Sequence, residues 1–212
     1  MMKRMIAIAA LTVGLTAGSM TAAEARDNRM TVVGDSITAR YNDNPGDPDR
    51  GWWSRLGAKH GMRVTTSAIS GTGFINKGSA CSHNNYLQRI SEVAKSRPDV
   101  LIVEGGRNDF HKCGKRLSKK QIKRGVDKYF DSLDRIVKRN KIKRVYVVTI
   151  WGTNFSKHRP RVTKIVKARA AESGYPFKAI TLGNSMTVDK THPNTRGNVK
   201  IYRQMNRFIK NR

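Results

Sequence analysis

Three continuous apolar runs constrain this chain most: "MTVV" (Met30–Val33), "VLIV" (Val100–Val103) and "VYVV" (Val145–Val148). A strand that is apolar at every position has no face left for water. It must be covered on both sides, as in a parallel sheet sandwiched between helices. The segments between the runs read as helices. "LSKKQIKRGVDKYFDSLDRIVKRN" repeats Ile122, Val126, Tyr129, Leu133 and Ile136 at helical period, and Ser118 and Gln121 have capping-box spacing. "GWWSRLGAKHG" (51–61) reads as a short helix closed by glycine. "YLQRISEVAKS" (86–96) puts Leu87, Ile90 and Val93 on one face, with Pro98 beyond its end. "RPRVTKIVKARAAESG" and "TRGNVKIYRQMNRFIKNR" are two more helices, and "MRVTTSA" and "FKAITL" two more strands. Strand alternating with helix predicts one α/β domain, 26–212, with a parallel sheet of about five strands and helices on both faces.

Such sheets do chemistry at the carboxyl ends of their strands. Polar residues that follow strands are therefore the ones to weigh. "GDS" with Ser36 follows the first strand, "SAISGTG" with Gly71 the second, and "GGRND" with Asn108 the third; "VDKTHPN", with Asp189 and His192, precedes the last helix. Each alone is an ordinary turn, loop or cap. Together they supply what acyl transfer needs. A hydroxyl is a weak nucleophile without a base. Imidazole is a base near neutral pH, and a carboxylate fixes its tautomer. Amide donors stabilise the oxyanion.

In these residues the chain resembles the SGNH (GDSL-type) hydrolases, whose four blocks match "VVGDSITA", "SAISGTG", "VEGGRND" and "VDKTHPN" in order, Val32 to Asn194. The resemblance implies Ser36 as nucleophile, His192 as base and Asp189 as its orienting acid. It implies an oxyanion hole of the Ser36 and Gly71 N–H groups and the Asn108 amide. It further implies a flavodoxin-like three-layer α/β/α sandwich of strand order 2-1-3-4-5, without metal or organic cofactor. Two positions depart from the family pattern. Ile37 stands where leucine is usual, a mild change. Arg107 occupies a position that is often small or uncharged. It is either a contact for an anionic substrate or a solvent-facing cation, and the abundance of arginine favours solvent.

Composition speaks to partner and compartment. The 42 Lys+Arg against 15 Asp+Glu give a net charge of +27, which favours an anionic partner such as an envelope polymer. No nucleic-acid-reading motif is present, and 7% aromatic content is low for base stacking. Lys3 and Arg4, then "MIAIAALTVGLTAG", then "AEA" read as a signal peptide (1–25) cut after Ala25, hence an exported protein without a later membrane span. Cys81 and Cys113, an even pair in an oxidising compartment, suggest a disulfide. A zinc site built with His83 and His111 is the rival, but its ligands would sit one residue apart, too close. In the order the resemblance implies, both cysteines follow blocks that open onto one cleft, where a bridge would brace the oxyanion donors. Trp52 and Trp53 suit either sugar stacking or core, with at least one in the core. "NDNPGDPDR", with Asp43, Asp47 and Asp49, lacks a calcium-loop pattern and reads as a loop at the cleft rim.

The reading that follows is an exported serine esterase. It would act as a monomer on short acyl esters of an envelope carbohydrate or lipid. An acyltransferase would use the same residues with water excluded. The other alternative is a non-catalytic cationic protein that binds wall polymer.

Overall fold

A computed structural model describes residues 28–39, 51–154 and 157–210. The expected signal peptide and the "NDNPGDPDR" loop lie outside the described residues. Five parallel strands form the sheet: β1 (Arg29–Gly34), β2 (Arg63–Ala68), β3 (Val100–Glu104), β6 (Arg144–Trp151) and β7 (Phe177–Thr181). Their order is β2-β1-β3-β6-β7. Without β4 (His111–Lys112) and β5 (Lys115–Arg116), which pair only with each other, this is the expected 2-1-3-4-5.

The apolar runs divide their side chains by pleat, as period-two geometry requires. Val33, Leu101, Val103, Val145 and Val147 face one core, covered by α3 (Ile90–Ser96), α4 (Lys119–Asn140) and α5 (Arg159–Glu172). Met30, Val32, Val100, Ile102, Tyr146 and Val148 face the other, covered by α2 (Trp52–His60) and α6 (Thr195–Lys210). Each fully buried apolar side chain contributes roughly 1.5–3 kcal/mol. Helix α4 starts at the expected capping box, with Ser118 accepting from the Gln121 N–H and Gln121 accepting from the Ser118 N–H. Trp52 is core; Trp53 is half-buried and donates through Nε1 to the Thr38 carbonyl at 2.9 Å. The pair thus splits as its position at a helix start suggested.

Two local expectations need correction. The helix expected over 86–96 forms only from Ile90. Its first turn is pulled away because the Tyr86 hydroxyl donates to the Glu104 carbonyl at 2.8 Å and the Tyr86 N–H to Gly73 at 2.9 Å. The β4–β5 hairpin was not anticipated: "HKCGKR" has no β-branched residue and no alternation to mark a strand. It turns at Cys113 and Gly114, and Cys113 is bonded to Cys81, with Cα atoms 5.1 Å apart. The bond joins the two cysteines that the sequence suggested as a pair.

Candidate active site

Four segments meet at the carboxyl edge of the sheet. The first is the turn after β1. Gly34 ends the strand, Asp35 Oδ1 accepts the Ile37 N–H at 2.9 Å, and a one-turn helix, α1 (Ser36–Ala39), begins at Ser36. The carboxylate thus caps α1 as the sequence suggests. As the first residue of that turn, Ser36 has no intrahelical acceptor for its N–H.

The loop before α6 brings the imidazole. Asp189 Oδ1 accepts the N–H groups of Thr191 (3.0 Å) and His192 (2.7 Å), which closes a tight turn. Its other oxygen lies 2.6 Å from His192 Nδ1, and His192 Nε2 lies 2.8 Å from Ser36 Oγ. A bridge between Thr187 and Pro193 and a cap in which Asn194 Oδ1 accepts from the Gly197 N–H fix this loop to α6. Burial pushes the Asp189 carboxyl up, but hydrogen bonds from the His192 N–H and ring outweigh it, and the net shift is downward.

The third and fourth segments are bound to each other. Asn108 Nδ2 donates to Asp35 Oδ2 at 3.0 Å and to the Thr72 carbonyl at 2.9 Å. The next residue, Asp109, holds the loop that contains Gly71. Its carboxylate accepts from the N–H groups of Phe74 (3.0 Å), Ile75 (2.8 Å) and Asn76 (3.1 Å). A Cβ on Gly73 would stand 2.4 Å from Asp109 Oδ2, so only glycine lets the loop come this close. Gly106, at φ 102°, makes the turn that delivers Asn108. The N–H of Gly71 lies outside the turn bonds that tie down Thr72 and Gly73. All five residues singled out in the sequence as Ser36, Gly71, Asn108, Asp189 and His192 therefore lie on the four segments that converge here.

Arg107 does not face solvent, contrary to expectation. It is 4% exposed, and its Nη1 donates to Thr191 Oγ1 at 3.3 Å, next to His192. The reason lies beneath Ser36, where two carboxyls are fully buried. Glu104 accepts from the Asp35 N–H (3.3 Å) and the Thr38 hydroxyl (3.1 Å). Burial, and then the charge of Asp35, raise Glu104 well above the usual range. Burial also raises Asp35, opposed first by the Arg107 charge. A cation among two buried acids is favoured over one in water only where such partners exist.

Sequence reasoning missed Asp109, Glu104 and Arg89. Arg89, 2% exposed, donates to the Ser67 carbonyl and Oγ, to Thr72 Oγ1 at 3.1 Å and to the Gly34 carbonyl at 3.3 Å. It thereby ties the ends of β1 and β2 to the Gly71 loop. Helical period assigned it no such role. The "ND" of the third block was the available signal for Asp109.

A serine hydroxyl hydrogen-bonded to an imidazole–carboxylate pair, at the carboxyl edge of a parallel sheet, is an arrangement that suits acyl transfer through serine on an α/β fold. The particular family follows from the sequence: residues 32–200 match the model of the GDSL-like lipase/acylhydrolase family, and the chain belongs to it. Solved structures share the fold at low identity. One is a carbohydrate esterase whose active site is described as displaying divergent catalytic and non-catalytic binding functions. It has 13% identity and a TM-score of 0.66, over 87% of this chain and 69% of that one. Another is a family two carbohydrate esterase from Clostridium thermocellum, in complex with cellohexaose (18%, TM-score 0.65, 87% and 64%). A third is an acetylxylan esterase from Geobacillus stearothermophilus (21%, TM-score 0.59, 86% and 94%). Comparison with curated proteins gives no match.

Proposed function

We propose that the protein is an exported serine esterase that removes short acyl groups, such as acetyl, from an envelope carbohydrate or lipid. The observation that carries this reading is the unbroken hydrogen-bond chain Ser36–His192–Asp189, which spans 156 residues of sequence between serine and imidazole. In this mechanism Ser36 Oγ attacks the ester carbonyl and its proton passes to His192 Nε2. Asp189 holds Nδ1–H and stabilises the imidazolium. The oxyanion is met by the N–H groups of Ser36 and Gly71 and by Asn108 Nδ2, which shares a hydrogen otherwise given to Asp35 or Thr72. The alkoxide leaves with the proton from His192. Water, deprotonated by the same nitrogen, then releases the acid and restores Ser36.

Three features support the setting. The Cys81–Cys113 bridge suits an oxidising compartment. Among the described residues, no helix is long and apolar enough to cross a membrane. The net charge of +27 attracts anionic envelope polymer. The carbohydrate esterases that share the fold make an acylated glycan the first substrate class to try.

The test compares p-nitrophenyl acetate hydrolysis by wild type and Ser36→Ala, with circular dichroism to check folding. Turnover that vanishes in a folded variant supports the esterase. Equal low rates in both proteins mean that the true ester lies far from this one or that the protein only binds, and O-acetylated xylan and polygalacturonate then decide: cleavage of neither refutes the esterase.

A further inference from the structure

Helix α6 has two faces. Ile201, Met205 and Ile209 are buried against the sheet. On the other side Arg196, Lys200, Arg203 and Arg207 recur at i, i+4, i+7 and i+11, a row about 16 Å long at ~1.5 Å rise per residue. With Met186 and Val199 they line a groove of about 480 Å³ that contains no acidic side chain. Among the described residues, none of the four cations has a carboxylate within ion-pair distance; Lys200 donates to the Thr181 carbonyl at 2.8 Å. Like charges so spaced destabilise a helix.

A second basic groove among the described residues, between α4 and α5, is different. Asp127 and Glu172 line it, Lys123 pairs with Asp127 at 2.8 Å, and Arg169 pairs with Asp131 and Asp134. The α6 row is thus an uncompensated line of charge, not one more instance of a basic surface.

Its position is directional. Arg196 lies four residues beyond His192, and the Met186 carbonyl in the groove accepts the Asn194 N–H at 3.1 Å. The row therefore begins at the active-site loop and runs along the helix away from it. A linear row in a groove fits a linear polyanion. A lipid surface would call for a broad basic face with apolar side chains protruding from it. A nucleic acid strand would call for aromatic rings, and none lines the groove.

We infer that the Arg196–Lys200–Arg203–Arg207 groove is a docking track for an acidic polysaccharide, which feeds acyl esters of that polymer to Ser36. The inference rests on the esterase reading for its second half only. Docking by charge concentrates the polymer at the site, so it lowers KM without changing the chemical step.

The experiment uses wild type and the triple variant R196Q/R203Q/R207Q, whose changed side chains are all exposed. Three substrates are compared: O-acetylated polygalacturonate, neutral O-acetylated xylan and p-nitrophenyl acetate. The variant should raise KM on the acidic polymer about tenfold, at well under tenfold per exposed contact, and leave the other two unchanged. Added salt should raise the wild-type KM on the acidic polymer and have little effect in the variant. A KM within twofold of wild type on the acidic polymer, or an equal loss on xylan, overturns the track.

If wild type cleaves none of the three esters, the esterase reading fails. Fluorescence anisotropy with de-acetylated polygalacturonate then decides the track alone. Binding weakened about tenfold in the variant sustains it, and unchanged binding overturns it. Tighter row-dependent binding of duplex DNA or phosphatidylglycerol vesicles would overturn the choice of polysaccharide.

Discussion

Asp109→Asn separates positioning of the site from stability of the fold. The Asp109 carboxyl is fully buried, and burial raises it to about 6, against the pull of the Ile75, Asn76 and Phe74 N–H groups. The rise from 3.8 to about 6 means that carrying the charge at neutral pH costs roughly 3 kcal/mol. The sign follows from proton binding: between those two values the folded protein holds a proton that the unfolded chain has lost. Stability from this group is therefore full below about 4 and is lost as pH rises through about 6. Asparagine removes that cost. It keeps one oxygen for Ile75 and Asn76 but turns an NH₂ toward the Phe74 N–H, which costs about 1–3 kcal/mol. The two nearly cancel, so urea unfolding at pH 7 should give a stability within about 2 kcal/mol of wild type. Activity should not be spared. Two donors facing each other push the loop that contains Gly71, and kcat for p-nitrophenyl acetate should fall about 10- to 100-fold. Between pH 7 and pH 5, wild type should gain stability relative to the variant. A kcat within twofold of wild type would refute the positioning role. A relative stability that does not change with pH would refute the titration.

Asp189→Asn should lower kcat about 10³- to 10⁴-fold by favouring the wrong imidazole tautomer, with little change in far-UV circular dichroism. Burial and then the Asp35 charge raise Glu104 well above the usual carboxylate range, so the neutral amide of Glu104→Gln replaces a carboxyl that resists ionisation and should unfold within about 1 kcal/mol of wild type at acid pH. Because a raised carboxyl loses its contribution as pH rises through the folded value, wild type should weaken relative to that variant as pH rises, which thermal melts across pH will test. Glu104→Ala leaves the Asp35 N–H and the Thr38 hydroxyl without their acceptor and should cost about 2–4 kcal/mol. Reducing Cys81–Cys113, a closure across 32 residues, should cost about 3–4 kcal/mol and lower Tm by roughly 10 °C, measured with and without dithiothreitol.

What the sequence by itself determined is what depends on neighbours along the chain. Period-two burial explains why "VLIV" had to be a doubly covered strand. Helical period and the Ser118–Gln121 box set α4. The residue types that acyl transfer needs, Ser36, Gly71, Asn108, Asp189 and His192, were legible because each follows a strand end or precedes a helix, in family order. Tertiary structure alone decided the fate of the charges. By local pattern Arg89 and Arg107 belong in water. They are buried because the folded chain brings carbonyls of Gly34 and Ser67 to one and carboxyls of Asp35 and Glu104 near the other. Asp109 took its role from three N–H groups more than thirty residues away. The cost of burying a charge is set by partners distant in sequence, and no local pattern encodes where those partners will be.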